Sequence, residues 1–198
     1  IPQGSLFFAL KGTSFDGNDY AAEALAKGAA RVVVDNPSVA VSDRFIVVDD
    51  VLATLQHLAT YHRRALGIPI LAITGSNGKT TTKELVARIL SRRLEVSVTR
   101  GNLNNHIGVP LTLLEMTSAT EFGIVEMGAS ARGEIEMLCS IAQPDYGLIT
   151  NIERAHLDRF GSPDSVATGT GELVAYLAEH HATAFSRYDD QVLADMYT

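Results

Sequence analysis

The stretch Thr74-Gly75-Ser76-Asn77-Gly78-Lys79-Thr80-Thr81 constrains this chain more than any other. It follows an apolar, β-branched run, Ile70 to Thr74, and opens a segment of helical character from Lys79 to about Arg93. A buried strand, a glycine turn and a helix in that order bring the positive helix N-terminus and several backbone N–H groups to one point, where they can hold a phosphate. Glycines allow the backbone to come that close. Lys79 is placed to reach the β- and γ-phosphates, and the Thr80 hydroxyl to ligate Mg2+. The pattern G-x-x-x-x-G-K-[ST] is met except at its first position, where Ile73 stands. The expectation is that Gly75, Ser76, Asn77, Gly78, Lys79, Thr80 and Thr81 wrap the triphosphate of ATP.

The rest of the chain reads as strands alternating with helices. Before Gly67-Ile68-Pro69 lie strand-like runs at Ser5–Leu10, Arg31–Asp35 and Arg44–Asp49, with helical segments at residues 18–27 and 50–66. After it come strands at Ile70–Thr74, Glu95–Thr99, Phe122–Val125 and Tyr146–Thr150. Helices are expected near residues 110–116 and 133–142, and a last one is capped by Ser162 with Pro163 at its first position. This order predicts an α/β fold: a small N-terminal α/β domain over residues 1–67 and a P-loop domain over 68–198, built on a mostly parallel sheet covered on both faces. Chemistry in such sheets gathers at the carboxyl ends of strands. Thr74, Glu126 and Asn151 all sit at such ends.

Several polar residues could share that cleft. Glu126 closes an apolar strand; a solvated strand-end glutamate is its rival reading, but beside a phosphate loop a carboxylate suits Mg2+. His156 follows the Tyr146–Thr150 strand, and a structural or a cleft histidine fits equally well. The loop Gly101 to Pro110 carries Asn102, Asn104 and Asn105, which could orient a ligand or satisfy their own backbone. Lys11-Gly12 and Asp16-Gly17 flank a short loop that composition alone reads as an ordinary turn. Cys139 reads as a core residue, Lys83 and Glu84 as solvated helix positions, and the pair His180-His181 as weak evidence for a metal.

Charge narrows the partners. Sixteen basic and twenty-three acidic residues leave −7, which argues against a nucleic-acid or membrane-surface binder, since both need a basic face. A single cysteine excludes a disulfide framework and fits a reducing cytoplasm. No apolar run approaches the roughly 20 residues that cross a bilayer. The absence of an initial methionine and the stop just after a new helix-like run suggest a piece of a longer chain.

With those residues in view, the chain resembles the Mur ligases, and among them the members that add D-alanyl-D-alanine. The resemblance is carried by ITGSNGKTTTKE (Ile73–Glu84), GNLNNHIGVPLTLL (Gly101–Leu114), IVEMGA (Ile124–Ala129), ITNIERAHLDRFGS (Ile149–Ser162) and TGEL (Thr170–Leu173). It implies a bacterial cytoplasmic enzyme, expected to be a monomer, that uses ATP and Mg2+ to join D-Ala-D-Ala to a UDP-MurNAc-tripeptide through an acyl phosphate in peptidoglycan synthesis. It implies a UDP-sugar-binding first domain, with Lys11, Gly12, Asp16 and Gly17 at its substrate edge. It also implies Lys79, Glu126 and His156 as catalytic residues, Thr80 and Glu126 on one Mg2+ and His156 on a second. Asn102, Asn104, Asn105 and Asn151 would line the substrate–nucleotide cleft. Three positions depart from the family: Glu153 and Arg159 replace usual glycines, and Thr170 replaces a lysine that becomes carbamylated and ligates metal. The alternatives are a folylpolyglutamate-synthase-like ligase, which lacks such an N-terminal segment, and a nucleotide-binding module that has lost ligase chemistry.

Overall fold

Alternation in the second half of the chain fixes how its sheet is buried. The structure, a computed structural model, describes residues 1–151 and 163–186, with side chains from Gly171 onward in the latter stretch. The chain folds as two compact units, Ile1–His57 and Leu58–Thr198.

The first unit holds a parallel sheet of β1 (Leu6–Phe8), β2 (Arg31–Val34) and β3 (Phe45–Val47), in that order. Between β1 and β2 runs a 3-10 turn, Gly17–Tyr20, that leads into helix α1 (Ala21–Ala26). Ala21 and Ala24 of α1 pack on Val32, Val34 and Phe45 to form a small core. Burying small alanines lets the helix lie close to so short a sheet.

The second unit is built on five parallel strands in the order β5-β6-β4-β7-β8: β4 (Ile70–Thr74), β5 (Val96–Val98), β6 (Phe122–Glu126), β7 (Tyr146–Ile149) and β8 (Thr183–Phe185). All five residues of β4 are buried, and they divide by parity as a strand must. Ile70 and Ala72 join one core with Val109 and Leu113 of α4 (Gly108–Leu114), Leu138 of α5 (Glu134–Ala142) and Leu173 of α6 (Pro163–Glu179). Leu71 and Ile73 join another with Ala87 of α3 (Lys79–Leu90). A strand buried on both faces reads as a continuous apolar run, as ILAIT does.

Two features differ from the sequence reading. The break at Gly67 ends helix α2 (Val51–Leu66), but the compact units divide ten residues earlier, inside that helix. The physical reason lies in its last two turns. Ala59 belongs to the second unit's core, Thr60 donates to the Ile141 carbonyl, and Arg63 donates to the carbonyls of Ala142 and Gln143 and pairs with Asp145 at 2.7 Å. The strand Thr183–Phe185 is the second difference, because three residues carry too little alternation to register in sequence.

Candidate active site

The loop after β4 is shaped by what faces it. Gly75 has φ +135°, and a Cβ there would stand 2.2 Å from Thr150 Oγ1 and 3.0 Å from the Asn151 carbonyl oxygen. Thr150 and Asn151 follow β7 and brace the loop from the side. Ser76 N donates to the Asn151 carbonyl at 3.0 Å, and Asn77 N to Asn151 Oδ1 at 2.9 Å. Thr150 Oγ1 donates to the Asn77 carbonyl at 2.6 Å. Gly78, with φ +76°, precedes the first turn of α3 and turns the chain into it. Two adjacent parallel strands thus hold one turn, with the amino end of a twelve-residue helix behind it.

Lys79 is half-buried, and its ammonium donates to the carbonyls of Gly75 at 2.5 Å and Ser76 at 3.2 Å. Burial pulls its pKa below the ordinary lysine value, against the opposing pull of Glu126. To reach a phosphate it must exchange these carbonyls for anionic oxygens, a favourable trade for a partly desolvated cation.

Glu126 sits beside the loop because β6 pairs with β4 in a register that sets it opposite Ile73. Its side chain is buried, and both of its oxygens have partners. Thr80 Oγ1 donates to Oε2 at 3.1 Å, Asn104 Nδ2 to Oε1 at 2.9 Å, and the Lys83 ammonium lies 3.3 Å from Oε2. Its backbone N–H donates to Thr99 Oγ1 at 2.9 Å. Thr80 and Glu126 are oxygen donors from two elements brought to one point, a donor set that suits a hard cation such as Mg2+. Among the described residues no group of three His, Cys, Asp or Glu is gathered, so these residues build no protein-only cage; the phosphates of a ligand would complete the shell.

Lys83 corrects the sequence reading. It is not solvated but has 0% exposure, and its ammonium also donates to the Gly101 carbonyl at 3.1 Å. The signal was present. Lys83 lies one turn before the stripe Val86, Ala87 and Leu90, which packs into the core, and one turn after Lys79. Polar character masked its helical phase. Glu84, one position on, is exposed.

The members of the asparagine loop bond to different partners. Asn105 Oδ1 accepts from the N–H groups of Ile107 and Gly108 at the start of α4, and the Asn102 carbonyl accepts from Asn104 N. Only Asn104 turns its side chain to Glu126, while Gly128 N donates to the Asn104 carbonyl at 2.8 Å. Lys79, Asn104, Asn105, His106, Gly128 and Glu134 border a cavity of about 430 Å³. Asn151 is not among its lining residues; its place is against the loop itself.

In the first unit Lys11 and Asp16 form an isolated antiparallel bridge. The Lys11 ammonium lies 2.9 Å from Asp35 Oδ1 and 3.9 Å from Asp16 Oδ2, and Asn18 Nδ2 donates to both carboxylates. Gly17 is packed against the backbone of Ala9 and Leu10, which leaves no room for a Cβ, and Gly12 faces the Phe15 ring. Gly17 and Phe15 also border an apolar cavity with Phe7, Phe8, Leu10 and Tyr20.

His156, Glu153, Asp158 and Arg159 lie outside the described residues, as does the side chain of Thr170. Glu172 accepts from the N–H groups of Gly133 and Glu136 and so caps α5 rather than facing the loop. Cys139 is buried beside Met127, and desolvation pushes its thiol up to about 12, so it is inert core. His180 stacks on Tyr176 and bonds its carbonyl.

Comparison with known proteins fits this arrangement. The family model described as Mur ligase middle domain matches residues 73–198, and that described as Mur ligase family, catalytic domain, matches residues 1–71. The chain is 44% identical over 197 residues to a Synechocystis protein named UDP-N-acetylmuramoyl-tripeptide–D-alanyl-D-alanine ligase, and 40% identical over 200 residues to the Bacillus subtilis protein of the same name. These alignments take in 98% and 100% of this chain but 43% and 44% of the relatives. The crystal structure of MurF ligase from Thermotoga maritima in complex with ADP superposes with a TM-score of 0.89 at 34% identity, covering 100% of this chain and 46% of that one. The chain therefore spans less than half the length of these relatives. Matched along almost its whole length by two models of one family, the chain belongs to the Mur ligases.

Proposed function

We propose that this chain forms the nucleotide-binding part of an ATP-dependent amide ligase that joins D-Ala-D-Ala to a UDP-MurNAc-tripeptide in bacterial peptidoglycan synthesis. The carrying observation is the convergence of the loop after β4, Lys79 and the hydrogen-bonded Thr80–Glu126 pair at the carboxyl ends of β4 and β6, where Lys79 and Asn104 border a cavity. Residues 68–198 serve as the ATP-binding domain and residues 1–67 as the UDP-sugar domain, with the apolar cavity beside Phe15 and Gly17 next to the Lys11–Asp16 loop. The names of the relatives and the family models over both segments support this reading.

In the proposed reaction a substrate carboxylate oxygen attacks the γ-phosphorus and ADP leaves. The incoming amine then attacks the acyl carbon, loses a proton, and phosphate departs. Two anions must meet in the first step, so the site has to offset their repulsion. The loop's N–H groups and Lys79 hold the phosphates. Thr80 and Glu126 would hold Mg2+, which would supply positive charge against the phosphates. Asn104 fixes the Glu126 carboxylate in place.

ADP added to labelled protein is expected to shift the amide signals of Gly75 to Thr81, and UDP those near residues 5–20. Shifts confined elsewhere would sink the assignments. In the complete protein, phosphate release should require both the UDP-MurNAc-tripeptide and D-Ala-D-Ala. Thr170 cannot form a carbamate, and its neutral hydroxyl is a poorer ligand for a hard cation. Thr170→Lys is thus expected to raise phosphate release up to about a hundredfold, with bicarbonate enhancing the gain. High activity of the threonine form, indifferent to both changes, would show the departure to be harmless.

A further inference from the structure

We propose that Lys83 makes metal entry conditional on nucleotide: its buried ammonium is the standing counter-ion of Glu126, so a divalent cation enters with the phosphates and not before them. The inference rests on the reading of Thr80 and Glu126 as the metal-facing pair.

Lysine is among the residues least often fully buried, because removing its charge from water is costly without a partner. Lys83 has 0% exposure and finds two partners, Glu126 Oε2 at 3.3 Å and the Gly101 carbonyl at 3.1 Å. The carboxylate offers about four acceptor sites. Thr80 takes one on Oε2 and Asn104 one on Oε1, while the Lys83 ammonium stands 3.3 Å from Oε2 as an ion pair. The carboxylate is thus held at both oxygens, and the charge beside Oε2 is already matched by Lys83.

The charge count points the same way. Around the buried carboxylate stand two ammonium groups, Lys83 in contact and Lys79 on the adjoining loop. Among the described residues two other carboxylates bear on the count. Glu84 Oε1 lies 3.8 Å from Lys83 but is 61% exposed and screened by water. Glu134 lines the cavity and keeps its charge, with its Oε2 accepting from the N–H groups of Ser130 and Ala131. Lys83, Lys79, Glu126 and Glu134 sum to zero, so a lone divalent cation meets no net negative charge there. A nucleotide brings several negative charges and supplies what is lacking. By linkage, whatever makes metal need nucleotide makes nucleotide gain from metal by the same factor.

Removing the Lys83 charge should open Oε2 and create a site for the free ion. The test uses Mn2+ as paramagnetic probe and ADP as nucleotide, read through broadening of the Asn104 side-chain amide and the Thr80 backbone amide. In the wild type, submillimolar Mn2+ alone should leave both signals sharp, and Mn2+ with ADP should broaden them. In Lys83→Gln and Lys83→Met, Mn2+ alone should broaden them, with free-ion affinity raised about tenfold or more, the scale on which residues behind a metal ligand act. Wild-type broadening by Mn2+ alone as strong as with ADP overturns the proposal, and so does a folded variant with no gain. If neither variant folds, the wild-type comparison decides alone. No broadening even with ADP would instead refute the metal reading of Thr80 and Glu126.

Discussion

Two lysine–carboxylate pairs, one in each unit, are alike in chemistry and opposite in setting. Lys83–Glu126 spans 3.3 Å with side-chain exposures of 0% and 3%; Lys11–Asp35 spans 2.9 Å with 50% and 16%. The shorter contact is the weaker constraint. Water around Lys11 screens the pair and lets the lysine leave, whereas Lys83 has no solvent to retreat to. Each pair stands near a glycine-containing loop, yet only in the buried pair does the carboxylate lie within a strand, since Glu126 ends β6 while Asp35 falls just past β2. Contact distance alone therefore says little about which loop is a built site; burial and the number of elements converging on the carboxylate say more.

The comparison breaks most easily at Glu126. Glu126→Ala leaves the Lys83 ammonium buried with a carbonyl and only the exposed Glu84 carboxylate at 3.8 Å, and breaking one side of a buried pair costs roughly 3–5 kcal/mol. Urea unfolding should show that loss. The double variant Lys83→Met, Glu126→Leu should regain most of it, since two apolar side chains leave no charge unpaired. A loss below about 1 kcal/mol for the single variant would mean the pair behaves like a surface one.

Lys79→Ala probes the next largest effect, on binding rather than stability. Its ammonium bonds only carbonyls of its own loop, so the fold should tolerate its removal. Affinity for ATP should fall about a hundredfold, close to 2.7 kcal/mol, measured by calorimetry. Unchanged affinity and full turnover would detach Lys79 from the phosphates.

What the sequence revealed of these two sites follows the same divide. The loop after β4 was legible because strand, glycines, lysine and helix are contiguous and each has a local physical reason. Glu126 was legible from its place at a strand end. Its partners were not: Lys83, Asn104 and Thr99 come from three separate elements, and only the sheet order brings them to one carboxylate. The Asn102–Asn105 loop remained open because its members do different things: Asn105 satisfies backbone N–H groups of its own turn, and Asn104 bonds a carboxylate on a distant strand. In the first unit, Lys11 and Asp35 are 24 positions apart, and nothing local predicts that β1 and β2 align them. The order of strands along the chain suggested a parallel sheet, but β8 was too short to see.

The glycines sharpen the contrast at intermediate size. Gly75→Ala forces φ +135° on a residue with a Cβ and drives that Cβ to 2.2 Å from the Thr150 side-chain Oγ1, with the Asn151 backbone at 3.0–3.1 Å beside it. Strain of this kind costs about 1–3 kcal/mol. Gly12→Ala meets only the ring of Phe15, which is 54% exposed and can turn away. That change should stay within about 0.5 kcal/mol. Equal losses in urea would show the Lys11 loop to be as rigidly built as the other.

The smallest effect belongs to Asp35. Its hydrogen bond from Lys11, and next that from Asn18, hold its carboxyl below the usual aspartate value, and Lys11 is raised by the same bond to Asp35. The signs are opposite. A carboxyl with a lowered folded value adds stability that is present above the unfolded value and lost as pH falls through the folded one. A lysine with a raised folded value adds stability that is present below the unfolded value and lost as pH rises through the folded one. The pair's contribution is therefore flat across neutral pH, fading in acid below about pH 4 and in alkali above about pH 10. Asp35→Asn should lower the urea midpoint slightly at pH 7 and low salt, and the difference from wild type should shrink at pH 3. It should also shrink in 1 M salt at about pH 7, where the screening length falls to roughly 3 Å. A loss that persists in high salt and at low pH would show that Asp35 acts through the Asn18 amide rather than through Lys11, which would make this corner of the first unit a hydrogen-bonded frame instead of an exposed ion pair.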